Sequence, residues 1–302
     1  MRELKGRAVI EELAEIYRQL YLKPGPEGEK EYPDIVRRGM EPDVKDLSHF
    51  ISDERDQLSF EITPAGIVLV IVLYNRVDFI TFLQIMGNKC APIEIKDSQG
   101  ASLLDGVVNW NKIHSHREEF FRAEVAKGNY MPDWPAEFKR FTADDANYLD
   151  TLIVLSVGPY SAIPAEKVGF DEEKWLELSH RIRTFHECTH FLCRRKYPEK
   201  IDAIWDELVA DSVGIYGAFG SFDKEMAKLF LGVKDGRYVG GRLANYVKAD
   251  SEEEKDRLLQ GLAAKVEVVL EAFAKIIADS SGAGPYEVAE LLEGKKEELY
   301  DF

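Results

Sequence analysis

His186-Glu187-Cys188-Thr189-His190 commits its stretch of the chain to an α-helix if the residues are to act together. On a helix, two histidines four residues apart share a face and can grip one metal ion. Glu187 then stands about 100° around from His186, beside the ion's open position, where a carboxylate can take a proton from bound water. The flanking residues supply the helix. Phe170-Asp171-Glu172-Glu173-Lys174-Trp175 reads as a start, with Asp171 as N-cap and acids in the first turn. Apolar residues recur at Trp175, Leu176, Leu178, Ile182, Phe185, Phe191 and Leu192 until Tyr197-Pro198 ends the pattern. The spacing predicts a helix over 172–196.

By composition alone the pattern H-E-x-x-H arises by chance in roughly one such chain in a hundred, so its context has to carry the argument. A catalytic zinc takes three protein ligands and a water, and the next segment offers the third. Pro198 suits the first turn of a helix over 199–217, running through Ile201, Ile204, Trp205, Leu208, Val209, Val213 and Tyr216. Glu207, Asp211 and Gly214 share one face of it. Two like charges at i, i+4 are mildly unfavourable unless something positive lies beside them, and a metal–histidine cluster would serve. The competing reading is a solvated acidic face in an acidic protein. Ala203, Ala210 and Gly214 line the same side and would allow the two helices to approach closely.

His186-Glu187-Cys188-Thr189-His190 followed by Glu207-Leu208-Val209-Ala210-Asp211-Ser212-Val213-Gly214 resembles the gluzincin, thermolysin-like zinc metallopeptidases, whose second motif reads E-x-x-x-D with a glycine three residues on. The resemblance covers about thirty residues. It implies that His186, His190 and Glu207 bind Zn2+, that Glu187 is the general base, and that Asp211 accepts a hydrogen bond from the other N–H of His186. Such enzymes carry a later histidine that stabilises the oxyanion, but no histidine follows His190 in this sequence. Gly240-Gly241-Arg242-Leu243-Ala244-Asn245-Tyr246 is the best alternative source, because Arg242 and Tyr246 share a face of an expected helix over 239–248. Surface or packing roles are the competing reading for both. The family's asparagine-alanine edge-strand signature is also missing, which leaves open substrates other than ordinary polypeptides.

A net charge of -16 argues against nucleic acid as a partner, because phosphate binding needs clustered Lys and Arg. Cys90, Cys188 and Cys193 make no disulfide framework and read as buried thiols in a reducing compartment. Cys193 falls on the metal-facing side of its helix, one turn beyond His190, and Cys188 on the opposite side. The stretch from Met1 through Val9, Ile10, Leu13, Ile16, Tyr17 and Leu20 is an amphipathic helix rather than a signal core. Ile67 to Leu73, the most apolar run, has seven residues and is too short to span a bilayer. Cytoplasmic location without membrane association is expected.

Texture changes along the chain. Lys23 to Gly28 is a break, and Leu58–Thr63, Ile67–Tyr74, Val77–Ile85 and Pro92–Lys96 read as successive strands, with helix the alternative for Val77–Ile85. Lys127 to Pro135 reads as a loop or boundary, and Leu152–Val157 as a strand. Helices are expected over 172–196, 199–217, 222–231, 239–248, 252–279 and 285–299. The fold class is therefore α+β, with a mixed sheet region, a metal-binding helix and a mostly helical C-terminal lobe, which is the zincin-like arrangement the resemblance implies. Residues 1–130 form an N-terminal α/β region and 131–302 the catalytic region.

His114-Ser115-His116 could chelate a metal from an extended strand, but with Arg117-Glu118-Glu119 following it reads as an exposed helix start. His180 lies on another face from the motif. Ser179 and Arg183 share the motif's face and could meet substrate or the acids around a metal. No G-x-S-x-G, P-loop or dinucleotide fingerprint supports a rival chemistry. The expected function is zinc-dependent hydrolysis of a peptide or small amide-type substrate. A zincin-like metal-binding or scaffolding protein without turnover is the alternative, and a metal-free helical protein with accidental motifs is the third.

Overall fold

A two-residue strand, β1 (Leu4–Lys5), opens the chain in the computed structural model, which describes residues 3–97, 99–200 and 202–299. Helices α1 (Arg7–Ile16) and α2 (Pro26–Arg38) follow. The break at Lys23–Gly28 is shorter than expected, because Pro26 occupies the first helical position, where its missing N–H costs nothing. Strands β2 (Gln57–Thr63) and β3 (Gly66–Leu73) match the two expected runs. Val77–Ile85 is helical, inside α3 (Arg76–Met86): the Asn75 side chain accepts from the Val77 N–H and caps it. Phe79, Phe82, Leu83 and Met86 then fall at helical spacing on the buried side.

Pro92–Lys96 forms no strand. Pro92 has no N–H to give a ladder, and the Ile93 carbonyl accepts from Gln84 Nε2 of α3. The strand comes later, at β4 (Ala101–Val108), which the sequence pattern did not mark. Helices α4 (Trp110–Ala126) and α5 (Trp134–Phe141) flank the expected loop, and β5 (Leu149–Ser156) follows. The five strands are ordered β1-β2-β3-β5-β4, with β1 antiparallel to β2 and β3 parallel to β5 in the register Leu69↔Leu152 to Leu73↔Ser156. Ile71, Leu73, Leu152 and Val154 are fully buried, as near-continuous apolar runs of parallel strands require.

After Ser156 come α6 (Ala165–Val168), α7 (Glu172–Lys196), α8 (Ala203–Phe219), α9 (Lys224–Leu231), a small hairpin of β6 (Val233–Lys234) and β7 (Arg237–Tyr238), α10 (Glu252–Asp279), α11 (Pro285–Glu293) and α12 (Lys296–Leu299). Three expectations change here. The helix expected over 199–217 begins only at Ala203, after a separate 3₁₀ turn over Pro198–Lys200, because Asp202 caps it. Ile201, assigned to that helix, lies outside the described residues, as do Met1 and Arg2. The helix expected over 285–299 breaks at Gly294. The helix expected over 239–248 is a single 3₁₀ turn, Arg242–Asn245. Gly241 lies against Gly232 so closely that a Cβ on it would stand 2.5 Å from the Gly232 nitrogen. The Tyr238 hydroxyl also takes up the Gly241 N–H and C=O, so that backbone is committed before a helix can start.

Two compact units divide the chain. Met1–Ser59, Leu69–Ile95 and Ser102–Ser156 make the first, and Phe60–Val68, Lys96–Ala101 and Val157–Phe302 the second. The boundary expected at residue 130 falls within the first unit, where His116 of α4 stacks on Phe141 of α5 at 4.0 Å. The core of the first unit gathers Val9, Ile10 and Leu13 of α1, Phe79 and Phe82 of α3, and the apolar faces of β3 and β5. The second is built around Trp175, Trp205, Phe230 and Phe273. No helix among the described residues is long and apolar enough to cross a membrane.

Candidate metal centre

Helix α7 starts where the sequence predicts. Asp171 caps it by accepting from the Lys174 N–H at 2.8 Å, with Glu172 and Glu173 in its first turn and Arg194, Arg195 and Lys196 in its last. Those charges complement the helix dipole at both ends. Asp202 caps α8 by accepting from the Ile204 and Trp205 N–H groups. The two helices run antiparallel: His190 faces Glu207, His186 faces Asp211, Ile182 faces Gly214, and Arg181 donates to the Gly217 carbonyl.

Glycine makes this approach possible. A Cβ on Gly214 would lie 2.9 Å from the Ile182 carbonyl oxygen and 3.5 Å from His186 Cβ, and one on Gly217 would lie 2.4 Å from the Phe185 ring. Gly214→Ala sets two effects against each other. Alanine gains about 1 kcal/mol in helix propensity, while overpacking against backbone costs about 1–3 kcal/mol. We expect a net loss of about 1 kcal/mol, read as a lower urea midpoint with an unchanged slope. A variant as stable as the parent would show that the helices can separate freely.

The three expected ligands come together. His186 Nε2 and His190 Nε2 are 3.0 Å apart, His186 Nε2 is 3.6 Å from Glu207 Oε2, and His190 Nε2 is 3.5 Å from Glu207 Oε1. Atoms held tetrahedrally about 2.1 Å from one ion are separated by roughly 3.4 Å, so the donor set fits zinc in both type and spacing. It is the one group with metal-binding geometry among the described residues. Burial would push the Glu207 carboxyl up, but the hydrogen bond with His190 and the positive groups around it bring it below the usual carboxylate range. Glu187 lies between the histidines on α7 and is largely buried, 8% exposed.

Around His186 stands a group that sequence reasoning only half found. His186 Nδ1 is 3.0 Å from Asp211 Oδ1, as the resemblance implied, and 2.9 Å from the Tyr160 hydroxyl. Tyr160 donates to Asp211 Oδ1 at 2.7 Å. Arg242 donates from Nη1 to the Tyr160 oxygen at 3.2 Å and from Nη2 to Asp211 Oδ2, and Nη2 is 3.7 Å from Glu207. Tyr246 lies beside Glu207. Both residues named as oxyanion donors thus lie in the site, and Arg242 is turned toward its acids.

Tyr160 carries no signal in spacing or motif, but its support does. Ser179 accepts from the Tyr160 N–H at 2.9 Å, and Arg183 donates to the carbonyls of Gly158 and Pro159 at 2.6 and 2.8 Å. The two residues read as facing substrate or site acids therefore clamp the turn that carries Tyr160. Ser161 and Ala162 just beyond it have φ of 51° and 57°. Left-handed conformations of this kind cost of order 1–2 kcal/mol each and persist only where the surroundings hold them.

This chain belongs to DUF7005, a family of unknown function. The family model matches residues 3–293, and so takes in every residue of the site. No curated protein and no solved structure matches the chain.

Elsewhere in this DUF7005 chain, the other cysteines and histidines singled out in the sequence lie outside the His186, His190 and Glu207 group. Cys193 does not join the metal group: its thiol faces Glu293 of α11. Cys188 contacts Tyr286, and burial pushes its thiol up to about 12, which leaves it an unreactive packing group. His114 and His116 lie in the first turns of α4, where His116 pairs with Glu137 at 2.6 Å. Burial lowers His180 from the ordinary imidazole value, and it stands apart from the metal group.

Proposed function

We propose that the chain is a zinc-dependent hydrolase of the metallopeptidase type, acting on a peptide or small amide-type substrate. The observation that carries this reading is the convergence of His186 Nε2, His190 Nε2 and a Glu207 oxygen within 4.8 Å of one another, with Glu187 on the same helix turn. Zinc bound there would polarise a carbonyl and lower the pKa of a bound water. His186, His190 and Glu207 would hold it, and Asp211 would orient His186. The Glu187 carboxylate would receive the proton of the attacking water and pass it to the leaving nitrogen. Three unpaired cysteines support a reducing, cytoplasmic setting.

A second reading has its own observation. Arg242 commits Nη1 to Tyr160 and Nη2 to Asp211, with its Nε left unpartnered, and no histidine follows His190, so the expected oxyanion donor is turned onto the site's own acid. That favours a metal-binding or scaffolding protein without turnover. Assay of the zinc-loaded protein against a peptide library separates the two. The hydrolase reading expects cleavage that a chelator abolishes and zinc restores. Stoichiometric zinc with no cleavage of any peptide would favour the second reading.

A further inference from the structure

The orienting role of Asp211 leaves one thing undetermined, namely which proton points which way. His186 Nδ1 has two neighbours, the Asp211 carboxylate oxygen at 3.0 Å and the Tyr160 hydroxyl at 2.9 Å. A tyrosine hydroxyl holds one proton and can either donate or accept at a given contact. If Tyr160 donated to Nδ1, the His186 proton would be driven to Nε2, and Nε2 could not bind a metal. The rest of the cluster decides between these arrangements.

Arginine has donors only and does not lose its charge in proteins. Arg242 gives Nη1 to the Tyr160 oxygen and Nη2 to Asp211 Oδ2. With its oxygen already receiving from Arg242, Tyr160 sends its own proton to Asp211 Oδ1 at 2.7 Å. Paired with a guanidinium, Asp211 is an acceptor alone. Both groups facing His186 Nδ1 are then acceptors, so Nδ1 carries the proton and Nε2 keeps its lone pair, aimed at His190 and Glu207.

We infer that Arg242 is a positioning residue that, through Tyr160 and Asp211, sets the direction of this hydrogen-bond chain and holds His186 in the Nδ1–H tautomer that leaves Nε2 free for a metal. The fully buried surroundings support it. Water cannot supply substitute donors to Asp211, which is 0% exposed, and Tyr160 is 3% exposed.

The test is histidine ¹⁵N NMR on the metal-free full chain, at a pH where the imidazoles are neutral, together with zinc titrations. The parent should show His186 as the Nδ1–H tautomer. Arg242→Met frees the Tyr160 hydroxyl to turn toward Nδ1, so a substantial Nε2–H population should appear and zinc affinity should fall about 10–100-fold. Arg242→Lys, which restores a donor-only cation, should recover part of both. Tyr160→Phe removes the one group able to reverse the chain while keeping the ring, so His186 should remain Nδ1–H on Asp211. An Nε2–H tautomer in the parent or in Tyr160→Phe overturns the inference, and neither depends on Arg242→Met folding. So does a folded Arg242→Met with unchanged tautomer and zinc affinity, which is what a purely structural role would give. The zinc arm rests on the metal-centre reading and the tautomer arm does not. A parent that binds no zinc yet shows Nδ1–H would remove that reading alone.

Discussion

Purified parent protein should hold about one zinc per chain, and His186→Ala or His190→Ala should hold almost none. Structural zinc sites release roughly 10–16 kcal/mol over four ligands, so one ligand is worth about 3 kcal/mol, or more than a hundredfold in affinity. Glu207→Ala removes the third protein ligand and should behave like the histidine variants. Asp211→Asn removes no ligand, only the carboxylate shared by the far nitrogen of His186, Tyr160 and Arg242, and should cost roughly 10–100-fold. The contrast between these two acids is the decisive part of the experiment, because they lie four residues apart on one helix and only Glu207 is assigned to the metal. Elemental analysis and zinc titration read the result, and circular dichroism confirms that the helices remain. Stoichiometric zinc in His186→Ala, or equal affinities in the parent, Glu207→Ala and Asp211→Asn, would sink the assignment of ligands.

Glu187→Gln separates binding from chemistry. The amide has the size of the carboxylate and leaves every metal ligand in place, so zinc content and thermal stability should match the parent. Without a base to accept the proton of the attacking water, turnover should fall about 10²–10⁴-fold. Only the chemical step should suffer, so the loss should fall on kcat and leave zinc binding untouched. Cleavage of a defined peptide at the parent rate would show that Glu187 is not the base. Loss of zinc together with activity would show that it serves the metal instead.

Much of this centre was readable before any coordinates. The ends of α7 were legible because capping at Asp171 and termination at Tyr197-Pro198 depend on residues within one turn of the break. His186 and His190 share a face for the same reason: helical spacing is a local, covalent property. Glu207 and Asp211 could be matched to them because only a short connection separates two helices, and Gly214 marks where they close together. Local propensity failed where tertiary context outweighed it. Val77–Ile85 is apolar enough for a strand, and the Asn75 cap together with the buried side of α3 made it a helix.

What lay beyond the sequence was whatever depends on distant segments meeting. Tyr160 stands 26 residues before His186 and reaches it only because Ser179 and Arg183 pin its turn against α7. Arg242 comes 31 residues after Asp211, in a 3₁₀ turn that the Gly232–Gly241 contact forces out of a helix. No periodicity records such pairings, since their spacing is set by intervening turns and by what the second unit's core can bury. The sequence by itself determined the two histidines' shared face and the helix that carries them, because both follow from positions within a few residues of each other. The tertiary structure alone decided which buried donors face Asp211, and with them the direction of the proton chain behind His186.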